Sequence, residues 1–156
     1  MAAKVKDKLT PEGKKFLEAM KEVADLEVRI GFLAGETEHE GVDLCEIAAY
    51  NELGTANIPS RPFMRDSVDN HMDELGNEIA GWCKKIVNGQ MKAHELMMNI
   101  GMMQKGLMQE EIARGSFVPN SPATIKKKGS DKPLIDTGIM RSSVNYQIVE
   151  KGSMDD

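Results

Sequence analysis

PFMRDSVDNHMDELGNEIAGWCKKIV (62–87) and KAHELMMNIGMMQKGLMQEEIAR (92–114) together decide the fold. In the first, Met64, Val68, Met72, Leu75, Ile79, Trp82 and Ile86 recur every three or four residues, which is the period of one helix face. Pro62 suits the first position of a helix, and the stretch predicts the longest helix of the chain, ended by Asn88-Gly89. In the second, Leu96, Ile100, Met103 and Leu107 form the matching seam. So short a gap between two helices predicts an antiparallel helical hairpin. Gly76, Gly81, Gly101 and Gly106 each weaken such helices by about 1 kcal/mol against Ala, so a close approach or a break is expected at them.

Upstream of the hairpin, Thr10 can cap a helix that Pro11 opens, with Phe16, Leu17, Met20, Val23 and Ala24 as its apolar stripe. Leu26-Glu-Val28-Arg-Ile30-Gly-Phe32-Leu33 then alternates apolar and polar, the pattern of a half-buried strand. Residues 35–41 read as an exposed acidic loop. Asp43 and Glu46 open a short helix in the manner of a capping box, and Gly54 stops it in a left-handed turn. Downstream, residues 116–135 hold three prolines and a lysine cluster, and predict a long loop. Residues 143–149 alternate again and predict a strand paired with the one at 26–33, since a lone strand is unstable. The expectation is an α+β fold: a small antiparallel sheet packed with a long helical hairpin and shorter helices. One domain spans 1–156, with flexible termini at 1–9 and 150–156.

Composition narrows the function classes. The net charge is −5, divided as +3 over residues 1–15, −11 over 16–82 and +3 over 83–156. An acidic middle argues against general nucleic-acid binding and suits contacts between copies, or simply solvated helices. Cys45 and Cys83 form no CxxC pair and read as two buried free thiols in a reducing cytoplasm. No targeting segment and no membrane span is expected. His94-Glu95 lacks the second histidine of a zinc-protease helix, with Met98 in its place, so no metal site is expected. No nucleophile elbow, P-loop or dinucleotide fingerprint occurs. The reading is of a chain with no catalytic residues and no cofactor.

Three stretches carry a resemblance. Ile47-Ala-Ala-Tyr-Asn51-Glu52-Leu-Gly54-Thr55 is followed by Ile58-Pro59-Ser-Arg61-Pro62-Phe63. Pro119-Asn-Ser-Pro122 leads into Lys128-Gly129-Ser-Asp-Lys132-Pro133-Leu134, and Ile135-Asp136-Thr137-Gly138 into Ser142-Ser143-Val-Asn-Tyr146. In order and spacing these resemble the neck and tail-completion proteins of tailed bacteriophages, also called virion morphogenesis or minor tail proteins, over roughly residues 26 to 150. The resemblance implies an α+β domain assembled as a homo-oligomeric ring, six-fold or alternatively twelve-fold, between head-tail connector and tail tube. The protein is then made in the host cytoplasm and resides in the virion. Alternatives are a tail terminator that caps the tube, and a cytoplasmic DNA-binding or regulatory protein.

The residues of those stretches have readings of their own. Arg61 and Arg65 can bridge subunits to an acid such as Glu52, because guanidinium grips carboxylate with two prongs. Arg65 can equally pair with Asp69 one turn on. Phe63 reads as a core anchor. Lys126, Lys127, Lys128 and Lys132 can touch packaged DNA without sequence preference, meet acidic neighbours, or stay solvated. Asp136-Thr137-Gly138 reads as a turn before the last strand. The methionines at 97, 98, 102, 103 and 108 exceed what one seam buries, which makes Met98 and Met102 candidates for a subunit interface.

Overall fold

The computed structural model describes residues 9–35, 38–39, 41–134 and 138–153, with the side chains of 38 and 39 left aside. Local chemistry sets the first elements. Thr10 accepts a 3.1 Å hydrogen bond from the Gly13 amide and starts α1, Pro11–Ala24. The chain then runs into β1, Leu26–Gly31. A two-residue strand β2, Glu38–His39, falls within residues 35–41, read as an exposed loop, and pairs with β3, Val42–Asp43, just beyond them. Asp43 caps α2, Leu44–Leu53, by accepting from the Cys45 amide at 2.7 Å.

Gly54 stops α2 at φ 77° and ψ 166°. That corner of conformational space belongs to glycine, but it is not the left-handed helical turn expected from sequence. It swings the chain back along α2: Thr55 donates to the Ile58 carbonyl, Ser60 Oγ to the Glu52 carbonyl, and the Arg61 amide to the Asn51 carbonyl at 2.6 Å. A Cβ on Gly54 would stand 2.9 Å from the Ser60 nitrogen, so this return path leaves no room for a side chain.

The expected helix at 62–87 is two helices. α3, Phe63–Asp69, ends at Asn70-His71, and α4, Met72–Val87, starts anew. The longest helix is instead α5, Ala93–Arg114, reached through the short connection at 88–92. It is the centre of the molecule, touching α1, α3, α4, β1 and β4. The interruption divides the apolar seam accordingly. Leu75 and Ile86 are buried with Ile79 and Trp82 partly covered, whereas Val68 and Met72 at the junction are exposed.

After α5 comes a segment read as loop that holds α6, Pro122–Lys128, capped by Ser121 and stopped by left-handed Gly129. A four-residue helix α7, Ile139–Ser142, precedes β4, Asn145–Glu150. β4 pairs antiparallel with β1 as expected, from Leu26 opposite Glu150 to Gly31 opposite Asn145. The architecture is α+β: a two-stranded antiparallel sheet against a helical body. Residues 135–137, and with them Asp136 and Thr137, lie outside the described residues, as do 1–8 and 154–156.

The sheet lies directly on α5. Gly101 makes this possible, since a Cβ there would overlap the Tyr146 ring of β4. Gly76, Gly81 and Gly106 have no such neighbour and sit on exposed helix faces. The core gathers Leu44 and Ala48 of α2, Phe63, Met108 and Ile112 of α5, Leu134, Met140 and Val144. Phe63 is fully buried, as an anchor should be, and meets Phe32 edge-on at 6.1 Å. Burying each such side chain stabilises the fold by about 1.5–3 kcal/mol.

Candidate functional site

The residues singled out in the motif stretches do not lie scattered on the surface. Arg61 is only 5% exposed. Its Nε donates to the Val118 carbonyl at 2.9 Å and one terminal nitrogen to Asn51 Oδ1 at 3.1 Å. The other terminal nitrogen reaches Asn120 Oδ1 at 3.1 Å and the Pro119 carbonyl at 3.4 Å. Asn51 is held in turn by its own donation to the Ile47 carbonyl, and Asn120 by donation to the Lys132 carbonyl. One guanidinium therefore ties the end of α2 and the start of α3 to the chain on both sides of α6.

The acceptors of these four hydrogen bonds are all neutral. Burial pulls its pKa below the ordinary value, because the low-dielectric surroundings disfavour the charged form. An arginine still keeps its proton at neutral pH, and its fixed fork matches several carbonyl oxygens at once. Glu52 is the residue expected to pair with it across subunits. Its carboxylate is instead spent within the chain, accepting from the Met64 amide at 2.8 Å and the Arg65 amide at 3.2 Å. α3 has Pro62 at its N-cap and no capping side chain there, so Glu52 supplies the missing acceptor from the preceding helix. Within the chain Arg61 and Glu52 thus hold two separate internal roles.

Arg65 points to solvent and makes no ion pair with Asp69. Along α3, buried Ser67 donates to the Met64 carbonyl and accepts from Gln104 Nε2 of α5, each at 2.7 Å. Gln104 Oε1 is buried without a partner among the described residues. Sequence reading missed both residues. The signal was a polar residue facing the seam side of α5, and periodicity of apolar residues does not register it.

The second group of candidates is exposed. Met98 is 39% and Met102 57% exposed, one turn apart on α5, as the surplus of methionine suggested. α1 adds Phe16, Leu17 and Met20, and has no buried residue although its stripe is amphipathic. The third group, Lys126, Lys127 and Lys128, forms the last turn of α6, with Lys132 just beyond. Lys126, Lys127 and Lys132 are exposed and Lys128 is half-buried.

Cys45 is half-buried and Cys83 exposed, so the two free thiols are not the buried pair expected. His71 meets Glu74 at 3.2 Å, and His94 lies on the exposed side of α5 beside a shallow cleft of about 660 Å³. Glu22, Asp25, Lys92, Glu150 and Lys151 also line that cleft. Among the described residues, no three His, Cys, Asp or Glu side chains converge to hold a metal ion. No helix among them is long and apolar enough to cross a membrane.

Comparison with protein-family profiles, curated proteins and solved structures finds no match to this chain. The site is a buried polar node tying distant segments together, with exposed apolar and basic surfaces elsewhere on the molecule.

Proposed function

We propose that this protein is a structural virion component of the phage head-tail junction, a neck or tail-completion protein that forms part of a homo-oligomeric ring. The observation that carries the reading is the exposed methionine and aromatic surface of α5 and α1, outside a fold held by the Arg61 node. Exposed apolar side chains in neighbouring positions favour burial against another protein. Methionine tolerates imperfect fits between subunits, which suits a surface that meets several neighbours. The resemblance of the motif stretches supplies the setting, between head-tail connector and tail tube, and a scaffold rather than an enzyme.

A tail terminator capping the tube uses the same kind of surface and is the second reading. The basic end of α6 keeps sequence-independent contact with packaged DNA in view, since phosphate recognition needs little beyond positive charge.

Quantitative mass spectrometry of purified parent particles tests the proposal. A low, fixed copy number, consistent with one ring per virion, supports it. Absence from mature particles overturns it and makes the protein an assembly factor or a host-directed protein.

A further inference from the structure

α4 carries two uncharged faces, and the protomer covers one of them. Leu75, Ile79, Trp82 and Ile86 turn toward the body of the molecule, Leu75 and Ile86 buried and the other two partly covered. The second face runs beside the first. Met72, Gly76, Ala80, Cys83 and Val87 follow at spacings of four, four, three and four. At about 100° per residue they fall within an arc of about 80°. All five are exposed, Met72 at 57% and Val87 at 56%. One edge of this face carries Asp73 near the start of the helix and Lys84 near its end, about 20° apart around the axis. Both are exposed, and neither side chain makes an ion pair among the described residues. The other edge is the covered seam itself. Glu74, Glu78 and Lys85 lie on the far side of the helix.

We infer that this face of α4 packs on the same face of a second copy, the two helices antiparallel about a two-fold axis midway between Asp73 and Lys84. In an antiparallel two-fold pair each edge meets its own copy running the other way. Asp73 of each chain then faces Lys84 of the other, twice over. A parallel pair would set that edge against the covered seam and leave both charges unmatched. A lipid surface or an unrelated helix would cover Met72 and Val87 equally well. It would have to supply a base opposite Asp73 and an acid opposite Lys84, which a second copy provides by symmetry. Gly76, Ala80 and Cys83 keep the middle of the face low, so the helix axes can approach closely. One helix per copy makes a small interface, and the expected affinity is roughly micromolar. The inference does not rest on the ring reading, since it uses neither Met98 nor Met102. Combined with a ring contact, it would join two rings back to back.

Sedimentation velocity of the full chain, spanning about tenfold to either side of that affinity, tests it. The wild type should dimerise. Ala80→Glu puts like charges at the centre of the contact and should weaken the dimer about tenfold or more. Asp73→Lys should weaken it about threefold or more, and adding Lys84→Asp should restore it. All three sites are exposed, so thermal unfolding of the protomer should be unchanged. Non-reducing electrophoresis reads the direction. In a Cys45→Ser chain the two Cys83 residues of an antiparallel pair lie about 13 Å apart along the axis, beyond disulfide reach. Adding Gly76→Cys should give a covalent dimer through the partner's Cys83. A Cys83–Cys83 dimer without that addition means parallel pairing and overturns the inference, as does a charge exchange that fails to restore association. A higher oligomer indifferent to Ala80→Glu overturns it too, while leaving the ring reading standing. A wild type that stays monomeric also overturns it, and binding of that monomer to phosphatidylcholine vesicles would assign the face to a lipid surface instead.

Discussion

The Arg61 node and the Met98–Met102 face place side chains opposite to their ordinary preferences. A guanidinium is buried, and two thioethers a turn apart are in water. The difference is one of partners. Arg61 enters the interior because Val118, Asn51, Pro119 and Asn120 present four acceptors to its fork, so little hydrogen bonding is lost on leaving water. Met98 and Met102 stay outside because the interior of α5 is already filled by Leu96, Met97, Gln104, Leu107 and Met108. Burial in this molecule follows satisfied geometry more closely than residue type. The first region should therefore respond to mutation through stability, and the second through association.

The largest effect is expected at Arg61. Arg61→Ala removes the charge but strands the acceptors that met it, and should cost about 1–3 kcal/mol for each one left buried without a donor, read by urea unfolding. It should also open residues 116–134 to proteolysis. Arg61→Lys keeps the charge without the fork and should recover only part of this. An Arg61→Ala protein as stable as the wild type would mean that the node does not hold the two regions together.

Gly101 sharpens the same contrast among glycines. Gly101→Ala drives a methyl group into the Tyr146 ring and should cost about 1–3 kcal/mol. Gly76→Ala meets open space on an exposed helix face and should stabilise by about 0.5–1 kcal/mol. Calorimetry of the two variants should give shifts of opposite sign. Glu52→Gln comes next: it weakens the charged cap on α3 and should cost about 0.5–1 kcal/mol, measurable as a small loss of unfolding midpoint. The smallest stability change is expected for Met98→Glu with Met102→Glu, within about 0.5 kcal/mol for the protomer because both sites are exposed. Its consequence should be lost assembly. Unimpaired assembly of that double variant would remove this face from the interface.

Much of the fold was legible because its signals are local. Thr10 and Asp43 accept from nearby amides, and Pro11 fits a helix start wherever it occurs. The strands at 26–31 and 145–150 announce themselves by alternation, and pairing follows because no other strand of similar length competes among the described residues. The break at Asn70-His71 was hidden because Met64, Val68, Met72 and Leu75 keep helical spacing straight through it. α6 was hidden for the opposite reason. Prolines and lysines suggested a loop, yet Ser121-Pro122 at the front and Gly129 at the back are helix boundaries that composition outweighed.

The candidate site divides the same way. The surplus of methionine on α5 could be counted from spacing, and Met98 and Met102 are indeed among its exposed residues. The fates of Glu52 and Arg61 could not be counted at all. Both were expected to reach outward, and both make bonds within the chain to partners 10 to 59 residues away in sequence. Gln104 and Ser67 pair across 37 residues, which no periodicity encodes.

By itself the sequence determined the elements with local causes: capped helix starts, alternating strands and the apolar stripes. Tertiary structure alone decided that α5 is the central helix, that 62–87 is broken, and that Arg61 is buried. Those outcomes depend on which distant carbonyls converge on one point and how much volume remains beside α5. Neither quantity is a property of neighbouring residues. Both arise when the chain closes on itself.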